Sequence, residues 1–365
     1  MIKNDILWVG VGEAGGKIVK EFLDTDSKYI GLFINTSSND IDKLGDVLNV
    51  YKIPNARGTG RDRNKSKLYA KRHYESIIES ILSFTSQRVI NLVFSTAGGS
   101  GSGLAPTIAK MLCKVIKETG IDKVVNLVAV LPSLNESKKS LSNTIECWNE
   151  VMSISKIVNN IMFIDNNNAC GKDLNEINNE FVYLYDSVME IPNEMSNEYS
   201  QIDETDLENV LLAKGVSCIF NIEDGDNTEN NLKIALKESI FAKIDSFRST
   251  HLCMAFNDAD YDTVIDEFRP REEFFKGYNS ENNLILVSGL RPPKEVIELI
   301  QVDWQYKQSN SEIEEDDVED YIVKDNTVKL VEEKKPMKKQ KADRKTTRKK
   351  INKLFDEDFW ENEVF

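Results

Sequence analysis

Leu92-Val93-Phe94-Ser95-Thr96-Ala97-Gly98-Gly99-Ser100-Gly101-Ser102-Gly103 decides how the chain is read, because an apolar run stops abruptly in seven consecutive small residues. The apolar part reads as a buried strand and the small-residue part as a loop made almost wholly of backbone. With no side chain beyond a methyl or hydroxymethyl group, such a loop lets a ligand approach the peptide plane, and its successive N–H groups can converge on an anion. Leu104-Ala-Pro-Thr-Ile-Ala-Lys-Met-Leu-Cys-Lys-Val-Ile116 follows with apolar residues at helical spacing and Pro106 near its start, so the loop also lies on a helix N-terminus. Phosphate is the guest that these features favour. A glycine linker has a similar composition, but linkers are not usually clamped between a buried strand and a helix.

Two familiar phosphate loops do not fit. A Walker A loop needs GxxxxGK[ST], and Gly103 is followed by Leu104; the dinucleotide fingerprint GxGxxG has a different spacing. The stretch instead resembles the tubulin/FtsZ signature GGGTG[ST]G, with Ala97 at the first glycine and Ser100 at the threonine. Both replacements are small, and Ser100 keeps the hydroxyl. The resemblance implies an α/β fold: a Rossmann-like GTP-binding domain, a central helix and a smaller α/β domain with a mixed sheet.

At the N-terminus, Ile6-Leu-Trp-Val-Gly10-Val-Gly12-Glu13-Ala14-Gly15-Gly16-Lys17 reads as strand, glycine turn and helix, and Gly10, Gly12 and Gly15 do satisfy GxGxxG. A dinucleotide enzyme would then carry Asp or Glu after the second strand, about 20 residues on, to hold the ribose. Asn35 and Thr36 stand there, after Tyr29–Ile34. A glycine-rich first loop and an Asn-Thr pair in this place also agree with the resemblance, which implies that Gly12 to Lys17 and Asn35 contact nucleotide along with residues 97–103.

Residues 57–72 hold seven basic residues and one acid in an otherwise acidic chain. The family order puts a γ-phosphate loop here, and positive charge would offset a triphosphate; a solvated basic loop is the alternative for any single residue. The strand Val124–Leu131 is followed by a polar loop in which Glu136 matches the family's ribose-contacting acid, while the family's arginine falls on Ser140. Asn166, after the sixth strand, and Asn179, early in the expected central helix, are the implied readers of the guanine edge, since an amide both accepts and donates. Surface caps or turns are the other reading of these asparagines.

Gln201-Ile-Asp203-Glu-Thr-Asp206 resembles the family's catalytic NxDxxD loop, with Gln201 at the asparagine and both aspartates in register. Locally it reads equally well as a helix N-cap. The resemblance implies that Asp203 and Asp206 complete the nucleotide site of a neighbouring subunit, that the ligands are GTP/GDP with Mg²⁺, and that the chain assembles head to tail. Further on, strands are expected at 216–222, 251–256 and 284–287 and helices at 231–247, 261–268 and 293–300. Expected boundaries are 1–176 for the GTP-binding domain, 177–200 for the central helix, 201–303 for the second domain and 304–365 for a helical extension and tail.

Composition excludes several classes. No apolar run approaches the roughly 20 residues of a membrane span, and Lys3 and Asp5 interrupt any leader-like start, so a cytoplasmic protein without membrane contact is expected. Five cysteines without a CxxC pair fit a reducing compartment, and two histidines make a zinc site or a Ser-His-Asp hydrolase improbable. The formal charge of −15 conceals a contrast: residues 329–353 carry twelve Lys/Arg against three acids, a local +9, which leaves −24 on the rest. This basic run precedes an acidic-aromatic end with Phe355, Phe359 and Trp360. Such a segment is expected to be disordered until bound, with weak salt-sensitive attraction to nucleic acid and an apolar docking edge.

Taken in order, these elements fit the plasmid- and phage-borne TubZ branch of the family better than FtsZ proper. That resemblance implies a polymerising GTPase whose filaments segregate plasmid or phage DNA, coupled through the tail to a DNA-bound adaptor protein. An FtsZ-type division scaffold, a non-hydrolysing nucleotide scaffold and an NAD-dependent oxidoreductase are the rival readings.

Overall fold

Alternating apolar runs and amphipathic stretches resolve, in the computed structural model, into ten strands and ten α-helices among the described residues, which are 2–167, 171–194, 201–225 and 227–316. In chain order they are β1 (Ile6–Val11), α1 (Gly12–Thr25), β2 (Ile30–Asn35), α2 (Ser38–Asp42), β3 (Val50–Lys52), α3 (Arg63–Leu82), β4 (Val89–Ser95), α4 (Ser100–Thr119), β5 (Val124–Leu131), α5 (Lys138–Ile154), β6 (Asn160–Asp165) and α6 (Leu174–Glu190). Then follow α7 (Glu204–Leu211), β7 (Gly215–Ile222), α8 (Thr228–Glu238), β8 (His251–Phe256), α9 (Tyr261–Phe268), β9 (Glu273–Tyr278), β10 (Asn283–Leu290) and α10 (Lys294–Asp316). Residues to Asp303 form one compact unit; the second begins at Trp304.

One sheet runs through the first unit in the order β3-β2-β1-β4-β5-β6-β7-β10-β8-β9. From β3 to β7 the pairings are parallel, whereas β10 lies antiparallel to both β7 and β8. All residues of β1 and β6 are buried, as are all but one of β4 and of β5, which is what strands covered on both faces require. α1 and α6 meet over Trp8, whose ring stacks on Phe22 at 3.8 Å and meets Tyr185 edge-on at 4.8 Å. Aromatic pairs of this kind hold α6 against β1 beyond simple burial.

One expectation in the second half is corrected, and one strand is added. The apolar period over 231–247 does not continue as a helix: α8 stops at Glu238, and Ile240–Ala242 lies along β6, with Asp165 N–H donating to Ile240 O at 2.8 Å and Ala242 N–H to Phe163 O at 2.9 Å. Phe241 is 1% exposed and packs on Phe181 and Phe220. Burial of that ring and the ladder bonds outweigh helix propensity. β6 therefore forks, pairing β7 only at Asn160 and Ile161 and the 240–242 segment above them. β9 has no counterpart among the expected strands: Glu-Phe-Phe-Lys-Gly-Tyr lacks alternation because it is a part-exposed edge strand with one partner, β8.

The expected central helix at 177–200 is α6 at Leu174–Glu190, closed by a single turn over Ile191–Asn193; residues 195–200 lie outside the described residues. Its start is fixed by Asp173, whose side chain accepts from the N–H groups of Asn175 and Glu176 while Glu176 returns a bond to Asp173 N–H. The helix expected at 293–300 extends as α10. Expectations for the basic and acidic-aromatic tail lie outside the described residues.

Candidate functional site

The carboxyl ends of β1, β2, β4, β5 and β6 open on one cavity of about 810 Å³, the position at which parallel α/β sheets hold ligands. Gly12, Glu13, Ala14 and Lys17 from the first loop line it, together with Ala97, Gly98, Gly99, Ser100 and Gly101, Glu136 and Asn166. Gly15, Gly16, Asn35, Ser102, Gly103 and Asn179 are not on its wall.

The glycine-rich loops owe their composition chiefly to each other. Gly12 has φ +78°, and a Cβ there would stand 2.9 Å from Gly101 N, while a Cβ on Gly101 would stand 2.8 Å from Val11 O. The first loop and the β4–α4 loop therefore pack backbone on backbone, a distance only glycine permits. Gly98 differs: a Cβ there meets nothing within 4 Å, because this residue faces the open cavity. Gly103, expected beside a phosphate, serves the α3–α4 contact, since its Cβ would meet Arg63 O at 2.7 Å. Asn35 acts within its own turn, accepting from Ser37 N–H at 3.0 Å, whereas the neighbouring Thr36 reaches the cavity loop through Ser100 Oγ at 2.7 Å.

The basic stretch 57–72 divides by direction. Arg63 is 1% exposed and turns inward: Nε donates to Ser102 Oγ at 3.2 Å, Nη2 to Ser102 O at 3.0 Å, and the guanidinium pairs with Glu146 and Glu150. Lys67 also pairs with Glu150. Pro106 explains the bond from Nη2, because a proline at that position cannot donate to the carbonyl four residues earlier, which is Ser102 O. Arg63 and Lys67 thus fix helices rather than offset bound phosphate. Arg61 faces the cavity instead, donating to Ser137 Oγ at 2.9 Å and Ser140 Oγ at 2.8 Å and standing 3.8 Å from Glu136. On the other wall, burial acts upward on the Glu13 carboxyl, but hydrogen bonds from Lys17 and Lys43 outweigh it and hold it below its usual range.

At the far end of the cavity stand Asn166 and the first turn of α6, with Leu174, 59% exposed, and Asn178 on the wall. Asn179 is exposed and borders a smaller adjoining cavity of about 250 Å³. Adjacent positions of a helix point about 100° apart, so Asn178 reaches the main cavity and Asn179 only the smaller one.

Asp203 and Asp206 lie nowhere near this cavity. Asp203 caps α7, accepting from Thr205 N–H at 2.8 Å and Asp206 N–H at 2.9 Å, while Asp206 accepts from Asp203 N–H at 3.2 Å. The cap reading of this stretch is thus realised, and both acids remain accessible to solvent. α6 separates them from the cavity: its first turn lines the wall, and 17 residues at 1.5 Å each carry its axis about 25 Å away. Its last turns reach the entry to β1, where Lys3 is bound by Asp26 at 3.0 Å, Asp186 at 2.6 Å and Glu190 at 2.5 Å. These three carboxylates could embrace a metal ion by their spacing, but the Lys3 ammonium fills the position. α7 is tied to the same edge of the sheet by Glu208, which pairs with Arg88 at the entry to β4.

Thr36, Asn143, Leu174 and Asn178 are functional candidates that sequence reading passed over, whereas Arg61 is one of the basic residues of 57–72 that it marks. Only Leu174 carried a signal, as an apolar residue directly after the cap of an otherwise polar first turn.

Residues 5–171 match the Tubulin/FtsZ family, GTPase domain. Over 310 residues the chain is 32% identical to the tubulin-like protein TubZ of Clostridium botulinum C phage, covering 82% of each chain. Among solved structures it is similar to the TubZ of Clostridium botulinum phage c-st with its C-terminal tail truncated, at a TM-score of 0.77 and 29% identity over 85% of this chain and 100% of that one. A GTPγS-form protofilament of Bacillus thuringiensis serovar israelensis TubZ gives a TM-score of 0.72 at 15% identity, covering 86% and 94% respectively, a likeness of fold alone.

Proposed function

Because this chain belongs to the tubulin/FtsZ family of GTPases, we propose that it hydrolyses GTP in a head-to-tail filament in which each complete catalytic site is shared by two subunits. One observation carries the reading: the cavity and the acidic turn stand at opposite ends of α6, about 25 Å apart. No rearrangement of side chains brings Asp203 to a nucleotide bound in its own chain, but stacking copies along α6 sets the acidic end of one against the cavity of the next.

In the lone subunit the backbone N–H groups of the β4–α4 loop and the helix dipole of α4 would hold the phosphates, with Arg61 and Lys17 supplying charge at the walls. Asn166 and Asn178 would take the base edge and Glu136 the ribose. Mg²⁺ fits the hard oxygen donors at Ser100, namely its own hydroxyl and those of Thr36 and Thr59, and would neutralise phosphate charge. Phosphoryl transfer then needs an oriented water, since it is mostly positioning and charge stabilisation. Asp203 and Asp206 of the neighbour would provide that orientation, so turnover follows assembly.

The test is phosphate release and sedimentation with GTP over a range of protein concentrations. Turnover per subunit should rise steeply with assembly, Asp203→Asn should bind GTP and sediment but release less than a tenth of the phosphate, and Asp203→Ala should in addition lose part of the α7 cap, worth about 1 kcal/mol. Turnover independent of concentration would place the whole site in one chain and end the proposal.

The likeness to TubZ supports a further reading, that the filament moves plasmid or phage DNA, with residues 329–365 gripping a DNA-bound adaptor. Truncation after Val328 should leave GTP turnover unchanged and abolish co-sedimentation with the adaptor–DNA complex. Retained co-sedimentation at physiological salt would remove the tail from this role.

A further inference from the structure

In the β4–α4 loop every carbonyl at the bend is turned away from the cavity by a side chain behind it. Asn143, 0% exposed on α5, donates through Nδ2 to Ala97 O at 3.0 Å and Gly98 O at 3.1 Å. Ser102 Oγ also donates to Gly98 O, and Ser66 Oγ donates to Gly99 O at 2.7 Å. In a trans peptide the C=O and the following N–H point in opposite directions, so carbonyls pinned backward leave the N–H groups of Gly98, Gly99 and Ser100 aimed forward. Among the described residues these three N–H groups have no partner in the chain, and Gly98 faces empty space. The same Nδ2 donates to Arg61 O at 3.0 Å, so one amide also ties the loop before α3 to the phosphate loop. The Asn143 Oδ1 atom is buried without a partner. Such an atom is costly to keep, and reversing the amide would set it against three carbonyl oxygens.

We propose that Asn143 is the positioning residue for phosphate binding, orienting the peptide planes of residues 97–99 as an anion receptor and joining the Arg61 loop to it without itself touching the ligand. This rests on the guanine-nucleotide reading above. The role is specific to phosphate, because the amide acts on neither Asn166 nor Asn178 at the base end.

The test is competition binding of guanosine, GDP and GTP to the full chain and to two variants. Asn143→Asp keeps the shape but sets a carboxylate oxygen against the three carbonyls; Asn143→Ser is smaller and retains one donor. The expected result is a loss of about tenfold or more in GDP and GTP affinity for Asn143→Asp. Guanosine affinity should stay within about threefold, and Asn143→Ser should fall between the two. The nucleotide-free circular dichroism spectrum and melting curve identify a variant that does not fold, in which case Asn143→Ser alone decides. Parallel loss of guanosine and GDP binding would make Asn143 merely structural and overturn the proposal, as would undiminished GDP binding in folded variants. A parent protein that binds no guanine nucleotide at all would overturn the underlying reading as well.

Discussion

Arg63 is the residue on which three helices converge, although it belongs to the basic stretch that sequence reading directs toward phosphate. Its guanidinium satisfies the carbonyl that Pro106 deprives of a helical donor and neutralises two glutamates one turn apart on α5. Arg63→Met should therefore lower unfolding stability by about 2 kcal/mol, since it strands a buried carbonyl and removes the partner of Glu146, while Glu150 keeps Lys67. Urea denaturation checks this, and a change below about 0.5 kcal/mol would mean that the pairs contribute nothing net. The small-residue loop and the Asn-Thr pair announced a nucleotide cavity because their chemistry is local. The direction of Arg63, and which of Asn178 and Asn179 lines the main cavity, depend on how the helices sit, and neighbouring residues do not encode that.

Among the elements, α6 does most to separate the two ends of the molecule, and its far end is secured by Lys3. Burial acts downward on the Lys3 ammonium, but the hydrogen bonds it donates to Asp186, Glu190 and Asp26 outweigh it and raise its pKa well above the ordinary lysine range. The Asp26 carboxyl is held low by the Lys28 backbone N–H and then by Lys3, and that of Glu190 chiefly by Lys3. Carboxylates with depressed values contribute stability that is complete above their unfolded range and is lost as pH falls through the folded values, below about 4. For the raised ammonium the contribution is complete below the unfolded lysine value of about 10.4 and is lost only at higher pH. Lys3→Met should thus cost on the order of 2–3 kcal/mol, nearly constant from pH 5 to 9, with the difference from the parent shrinking below pH 4. A cost that vanished at neutral pH would show that Lys3 is a spectator. α6 and the parallel strands were legible from periodicity, whereas β9 and the end of α8 were not, because an edge strand and a strand-like segment filling a fork take their form from partners distant in sequence.

At the scale of the whole first unit, one sheet joins a nucleotide-holding half to a half with its own antiparallel core. Apart from the three-residue β3, the order of strands to β8 could be read from the chain, since each βα step carries its own punctuation. That the two halves share a single sheet could not, because the joining bonds are made between residues more than 50 positions apart. The fork in β6 gives this union a mechanical character. Below it, two residue pairs join β6 to β7; above it, Ile240 holds the N–H of Asp165, the residue before Asn166 on the cavity wall. The 240–242 segment is accordingly a linkage rod whose one end is set in the second half and whose other end bears on the cavity wall. Tension placed on the second half by a neighbouring molecule would reach Asn166 through a single peptide, and binding in the cavity would stiffen the rod in return. Amide hydrogen exchange at Asp165 and Ala242 should slow together on addition of GDP, while exchange in β9, outside the linkage, stays as it was; slowing in neither would leave the rod idle.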